Sequence, residues 1–506
     1  MQQTLHHHLM IAAAAALLAV ACSQSGTDSE STQSAAVQVE EIPVTTSSET
    51  ARQLYGEGQY LLDVGRGVMA REKFRAAIAE DPGFVRAYFN KSNTSLSFKE
   101  FQDCLDAASE HLDGVSDGER KLVEINRTFS TNDTARGLEL AQELAQEYPH
   151  SPRAHVVLAG LRGGQNDNAG ARAAFETALD LDPESAAALF GIANNYLFGE
   201  PKDFTKAEVW TRKAIAVYPD EAKGYEVLGD IKRAQDDLEG ALSAYEQAAA
   251  TDPTLEVAHH KRGHVNSFLG HIDDARAAYD AAIAAAPPES KAGYAVYKGF
   301  THIHAGNVGA AIDELETLAD QIESMGTPPD QVKGMQVFAL TSAATAALHA
   351  GLHDRAAALV TRRNALQTAI GEEVGTDDSR RLLEANCHAW DGLVAAYRGK
   401  AEAASEHADK IAALVEGDAN PRKLEAVHWI LGMSALDVGD HAGAVEHLRQ
   451  ADHANNMYVR YQLAVAEEGA GNAAEAKKLF SEVASYNFNS VGFALVHKDA
   501  AARAAA

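Results

Sequence analysis

The chain has 506 residues, with 72 acidic side chains against 44 basic ones and a formal charge of −28. A surface of that sign repels phosphate backbones and argues against nucleic acid as a partner. Length alone would suggest two to four globular domains, but an internal period replaces that expectation.

Residues 9–21 form an unbroken apolar run. It is too short to span a bilayer and has the length of a signal-peptide core. It ends in Ala19-Val20-Ala21-Cys22, which resembles the lipobox of bacterial lipoproteins. That resemblance implies export, removal of residues 1–21 and lipidation of Cys22. Ala19 stands where leucine is usual, and the preceding segment has His6, His7 and His8 but no Lys or Arg. Ala19-Val20-Ala21 also fits an ordinary small-x-small cleavage site, which would release a soluble periplasmic protein. The next residue is Ser23, similar to the outer-membrane sorting pattern of Gram-negative lipoproteins. The expected location is the periplasmic side of the outer membrane, with the soluble periplasm as the alternative. Residues 22–49, rich in Ser, Thr, Gln and Glu, read as the lipidated cysteine and a disordered tether with an r.m.s. reach of roughly 25–30 Å.

From residue 50 onward one frame recurs. Tyr225, Leu228, Gly229, Ala241, Tyr245, Ala248 and Pro253 are followed 34 residues later by Gly263, Ala275, Tyr279, Ala282 and Pro287. Moved back, the frame gives Leu158, Ala171, Phe175, Ala178 and Pro183, and near the start Gly58, Ala70, Phe74, Ala77 and Pro82. This pattern resembles the tetratricopeptide repeat family, whose fold is a stack of paired helices. Glycine inside a helix costs about 1 kcal/mol relative to alanine. Its recurrence at one position therefore argues that two helices touch there. The alanines are expected to face those glycines, the aromatic residues to fill the gap to the next repeat, and the prolines to stop each second helix.

The period predicts an all-α superhelical solenoid of about twelve helix pairs with a C-terminal capping helix. Regular tetratricopeptide pairs are expected over 50–288. Degenerate pairs with longer helices follow over 289–416, and the frame returns over 417–506. Gly326 with Pro328 and Pro329 mark one boundary, and Gly371 with Gly375 and Thr376 another. Cys104 and Cys387 lie far apart in the array, and a solenoid joins only neighbouring repeats, so free thiols are expected.

No catalytic motif is present: there is no phosphate-binding glycine loop, no His-Glu-x-x-His, no Cys-x-x-Cys and no Gly-x-Ser-x-Gly. Neighbouring helical residues point about 100° apart, so Cys387 and His388 do not face one another. His260 and His264 sit one turn apart and could share a metal ion, but no carboxylate or third ligand accompanies them. No catalytic residue, metal or cofactor is expected, and the protein is not read as an enzyme.

The family resemblance implies that partners lie in the concave face formed by the first helices. By register, that face carries Phe190 and Asn194, then Lys223, Glu226, Asp230 and Arg233, then His260 and His264, then Lys291, Tyr294 and Lys298. Cations and aromatic rings gathered in an otherwise acidic protein favour an extended peptide bearing carboxylates and apolar side chains. A second stripe, Trp429, Met433, Tyr458 and Tyr461, is more apolar and suits either a partner or burial beneath the terminal cap. The expected function is a scaffold for protein or peptide partners at the cell envelope, meeting the membrane through its lipid alone. Two alternatives are an envelope polysaccharide-binding protein and an accessory subunit of an envelope enzyme complex.

Overall fold

The computed structural model describes residues 41–95, 98–131, 133–418 and 420–506. The expected leader and Cys22 lie outside these residues, as does most of the expected tether. Among the described residues there are twenty-five α-helices, one short 3-10 turn and no strand.

The helices follow one another as antiparallel pairs. In the first compact unit these are α1 (Glu49–Asp63) with α2 (Gly67–Glu80), α3 (Val85–Asn93) with α4 (Phe98–Ser109), and α5 (Asp117–Thr131) with α6 (Thr134–Glu147). Next come α7 (Pro152–Gly164) with α8 (Asn168–Leu181), α9 (Ala186–Phe198) with α10 (Phe204–Val217), and then α11 (Ala222–Ala234). This unit comprises the chain to Gln235 together with Ala250–Asp252.

The second unit comprises Asp236–Ala249 and Pro253–Ala506. It takes in most of α12 (Leu238–Thr251), then α13 (Glu256–Leu269) with α14 (Ile272–Ala285), and α15 (Pro288–His304) with α16 (Val308–Gln321). Longer helices follow: α17 (Pro329–His349) with α18 (His353–Val374), and α19 (Asp377–Tyr397) with α20 (Ala401–Leu414). The last pairs are α21 (Glu425–Asp437) with α22 (His441–Leu448) and α23 (Met457–Gly469) with α24 (Ala473–Ala484), before a single α25 (Val491–Ala505). The helix count fits the twelve pairs and terminal helix expected from the period.

Side chains at the ends explain where helices begin. Ser48, Ser151, Ser185 and Ser490 each accept a hydrogen bond from a backbone N–H in the first turn of the helix they precede. Such caps satisfy donors that have no partner inside the helix. Among the described residues, the turn after a first helix carries a left-handed residue nine times: glycine at 65, 270, 306, 351, 399, 439 and 471, and Asn166 or Asp236 elsewhere. At the expected 371–376 break, Gly371 is still helical, and the chain turns only at Gly375 (φ 76°), with Thr376 capping α19.

The second helices supply the core. Ala70, Phe74 and Ala77 are fully buried, as are Ala171, Phe175 and Ala178, and Ala275, Tyr279 and Ala282. One detail differs from the sequence reading. The repeat glycines meet the aromatic ring rather than the alanine. A Cβ on Gly58 would stand 2.8 Å from Phe74 Cε1, and one on Gly191 would stand 2.4 Å from Phe175 Cε1. The ring thus fills the groove left by glycine both within a pair and between consecutive pairs.

Candidate partner-binding surfaces

In the first unit, an extended segment lies across the first turns of four consecutive first helices. The Arg52 guanidinium of α1 donates to the carbonyls of Val44 and Thr46 at 2.8 and 3.0 Å. Arg86 of α3 donates to the Ile42 and Pro43 carbonyls, and its other nitrogen donates to Tyr55 Oη at 2.8 Å. Glu119 of α5 accepts from the Thr45 backbone N–H at 2.8 Å and from its hydroxyl at 2.7 Å. Ser151, which caps α7, donates to the Glu41 carboxylate at 2.8 Å. Ile42 is 3% exposed and sits where Gly118 leaves room beside Tyr148. Residues 41–48, expected as part of a disordered tether, are therefore bound by the repeats. Ile42-Pro43-Val44 was the signal available in the sequence: an aliphatic patch closing a polar stretch.

The residues expected on the inner face of this unit fall into two groups. Phe190 is buried in the core, whereas Asn194 is half-exposed. On α11, Lys223 Nζ is 2.5 Å from the buried Glu226, and Arg233 Nη2 is 3.0 Å from Asp230. The Lys223 stem lies against Gly65, whose φ of +82° forms the turn between α1 and α2. Tyr60 donates to Glu221 at 2.6 Å beside it, and Arg66 reaches both Glu221 and Asp252. The first pair of this unit thus meets α11 and the segment just before it. Its inward cations are matched by acids on the same helix.

In the second unit, His260 and His264 stand edge to face with ring centroids 4.1 Å apart. Tyr279, Tyr294 and Tyr297 pack around them. Burial pushes the Tyr294 phenol well above its ordinary range. Lys291 is half-buried at the start of α15. Lys298 pairs with Asp280 of α14 at 2.5 Å, and His302 meets Glu314 of α16 at 2.7 Å. Both face second helices. Arg276, on the second helix α14, spans from Thr301 to Glu314.

The terminal helix reaches further than a cap on the last pair. α25 packs on α15 and α17 as well as on α23 and α24. Phe493 stands edge-on to Phe268 at 5.3 Å, and Lys498 donates to the His304 carbonyl at 2.6 Å. Asn489, just before α25, donates to Tyr279 Oη at 3.1 Å. Its side-chain Oδ1 lies 3.2 Å from His304 Nε2. Of the apolar stripe, Tyr458 is 5% exposed and backs onto Gly492, and Tyr461 donates to Asp499 at 2.5 Å. Trp429 and Met433 pack in the same cluster as Leu495. Tyr458 and Tyr461 thus lie beneath α25, while Trp429 donates to Gln462 of α23 at 2.7 Å.

Cys104 is buried, Cys387 is half-buried, and both are free thiols. Cys387 Sγ is turned to the Asn364 carbonyl at 3.8 Å, while the His388 ring meets His407. The two neighbours do not form a nucleophile and base. Among the described residues no helix is long and apolar enough to cross a membrane.

Residues 158–197 and 261–324 match the tetratricopeptide repeat family model. No curated protein matches the chain. Among solved structures, the APC/C hetero-tetramer Cut9–Hcn1 is 16% identical, covering 85% of this chain and 76% of that one, with a TM-score of 0.39. A tetratricopeptide repeat protein from Parabacteroides merdae is 14% identical, covering 57% and 98%, with a TM-score of 0.32. A thermophilic protein of the same repeat type in Thermus thermophilus is 21% identical, covering 38% and 100%, with a TM-score of 0.30. The matched segments are tetratricopeptide repeats, and the fold is an all-α solenoid of tetratricopeptide type.

Proposed function

We propose that this protein is an exported, lipid-anchored tetratricopeptide scaffold that binds protein or peptide partners at the bacterial cell envelope. One observation carries the binding half of the reading. The first turns of α1, α3, α5 and α7 hold residues 41–48 mainly through backbone groups, with Arg52 and Arg86 donating to carbonyls and Glu119 accepting from an N–H. Those contacts do not depend on the bound side chains, and Ile42 adds one apolar anchor. A surface so equipped suits extended polypeptide. Further along the same unit, Asn194 and Lys223 remain accessible.

The anchoring half rests on the 9–22 sequence. Eighteen residues separate Cys22 from Glu41, so the repeats would stand no more than about 65 Å from the lipid. Cys22→Ser is expected to leave the membrane fraction or to accumulate unprocessed. A processed variant still bound to membrane would overturn the anchor. For binding, a photo-cross-linker at position 194 in envelope preparations is expected to give discrete protease-sensitive adducts, weakened by Lys223→Glu. Adducts sensitive to glycosidase alone would favour the polysaccharide reading instead.

A further inference from the structure

Two histidine pairs repeat in the second unit. His388 of α19 and His407 of α20 present their Nδ1 atoms to each other at 3.1 Å, and so do His428 of α21 and His447 of α22. Each pair is nineteen residues apart, and each first histidine is followed four residues later by a glycine, Gly392 or Gly432. Without a side chain at that glycine, the facing helix comes close. A Cβ on Gly392 would stand 3.1 Å from His407 Cβ, and one on Gly432 would stand 3.5 Å from His447 Cβ. The pairs differ in whether a carboxylate stands beside the histidines. Asp391 lies one turn from His388, and the corresponding position of the second pair is Leu431.

We infer that His388, Asp391 and His407 form a binding site for a divalent transition-metal ion of the zinc class, with a coordination position left for water or a partner's ligand. One ligand atom from each of the three lies within 4.8 Å of the others, the one such group among the described residues. Zinc bonds imidazole nitrogen at about 2.0–2.1 Å in tetrahedral geometry, which sets two such nitrogens roughly 3.3 Å apart. The 3.1 Å separation here needs little adjustment. All three side chains are half-exposed, so an ion can enter.

Outer contacts fix the carboxylate. Arg363, fully buried in α18, donates to Asn364 Oδ1 at 2.7 Å, which sets the Asn364 amide so that its nitrogen donates to Asp391 Oδ1 at 3.1 Å. Outer hydrogen bonds of this kind orient ligands and tune affinity. Glu384 lies 4.0 Å from the other nitrogen of His388.

Calorimetric zinc titration of the full chain tests the site, since His6, His7 and His8 contribute equally to every variant. His407→Ala is expected to lose one zinc equivalent, Asp391→Asn to bind that equivalent at least about tenfold more weakly, and His428→Ala to match the native protein. Cobalt(II) absorption and the zinc-induced rise in melting temperature provide readouts independent of stoichiometry, and far-UV circular dichroism confirms folding. Equal zinc binding by the native protein and His407→Ala would overturn the site. So would an equal loss in His428→Ala, because paired histidines alone would then account for binding, or an Asp391→Asn variant that binds as tightly as the native chain.

Discussion

Gly263 lies against the ring of Tyr279, sixteen residues further along, and a Cβ there would stand 2.8 Å from Cζ. Gly58 meets Phe74, Gly299 meets Leu315 and Gly432 meets Leu448 at the same separation in sequence. One contact, repeated, therefore sets how closely the two helices of a pair approach. Tyr279 cannot swing away easily, because it is fully buried and its hydroxyl accepts from Asn489.

Gly263→Leu follows as the first prediction. Replacing a helical glycine gains about 1 kcal/mol of helix propensity at most. Overpacking a filled contact typically costs ~1–3 kcal/mol, and a leucine larger than the available gap lies at the upper end. The net effect should be destabilising. Because repeats couple mainly to their neighbours, hydrogen exchange should show protection lost first in α13 and α14. Uniform loss across all pairs would contradict a solenoid built from local contacts.

The second prediction concerns residues 41–48. Glu119 is fully buried, accepts twice from Thr45, and closes a reciprocal cap with Ser116 at the start of α5. Hydrogen bonds to a charged group contribute about 1.5–3 kcal/mol. Thr45→Val removes only the hydroxyl contact and keeps the backbone one, so it should loosen the segment modestly. Glu119→Ala removes both and should make 41–48 a site of limited proteolysis, with the helices beyond α5 still intact. Equal resistance of this segment in the native protein and Glu119→Ala would show that the segment is held by something other than these contacts.

The repeat was legible because it is local chemistry. Glycine, alanine, aromatic and proline positions each answer to a contact inside one pair or the next, so spacing alone recovered twelve pairs and even the boundary at Pro328-Pro329. Contacts between distant pairs were not legible in that way. Nothing in a 34-residue frame says that Gly65 will touch Lys223, or that α25 will turn back to His304. The inward register suffered for the same reason. Lys298 and Tyr294 occupy one stripe on a helical wheel, yet Asp280 draws Lys298 to the second helix while Tyr294 packs on His260. The histidine pairs escaped because nineteen residues is neither a helical spacing nor a known ligand spacing. Only the antiparallel turn brings the two rings together.

The last prediction is a pH dependence at His304. Burial lowers its pKa from the ordinary value near 6.5 to about 3, with His497 and Lys498 adding to the effect and Asn489 opposing it. Asn489 Nδ2 donates to Tyr279 Oη, so its Oδ1 faces His304, and Nε2 of the neutral ring carries the proton. The sign follows from proton uptake. Below pH 6.5 the unfolded chain protonates this histidine, while the folded chain does not until about pH 3. Its contribution is therefore fully present above 6.5 and is lost progressively as pH falls towards 3. At about 1.4 kcal/mol per pH unit, the loss by pH 5 is about 2 kcal/mol. His497 and His349, also lowered by burial, act in the same direction, with Asp499 opposing at His349. Urea unfolding of the second unit, followed by exchange in α15 and α25, should show a drop in stability between pH 7.5 and pH 5. His304→Gln keeps an N–H donor for Asn489 but cannot titrate, so its drop should be smaller by about 2 kcal/mol, whatever its stability at pH 7.5. If the native protein and His304→Gln declined by the same amount, His304 would not be the group that ties the terminal helix to pH.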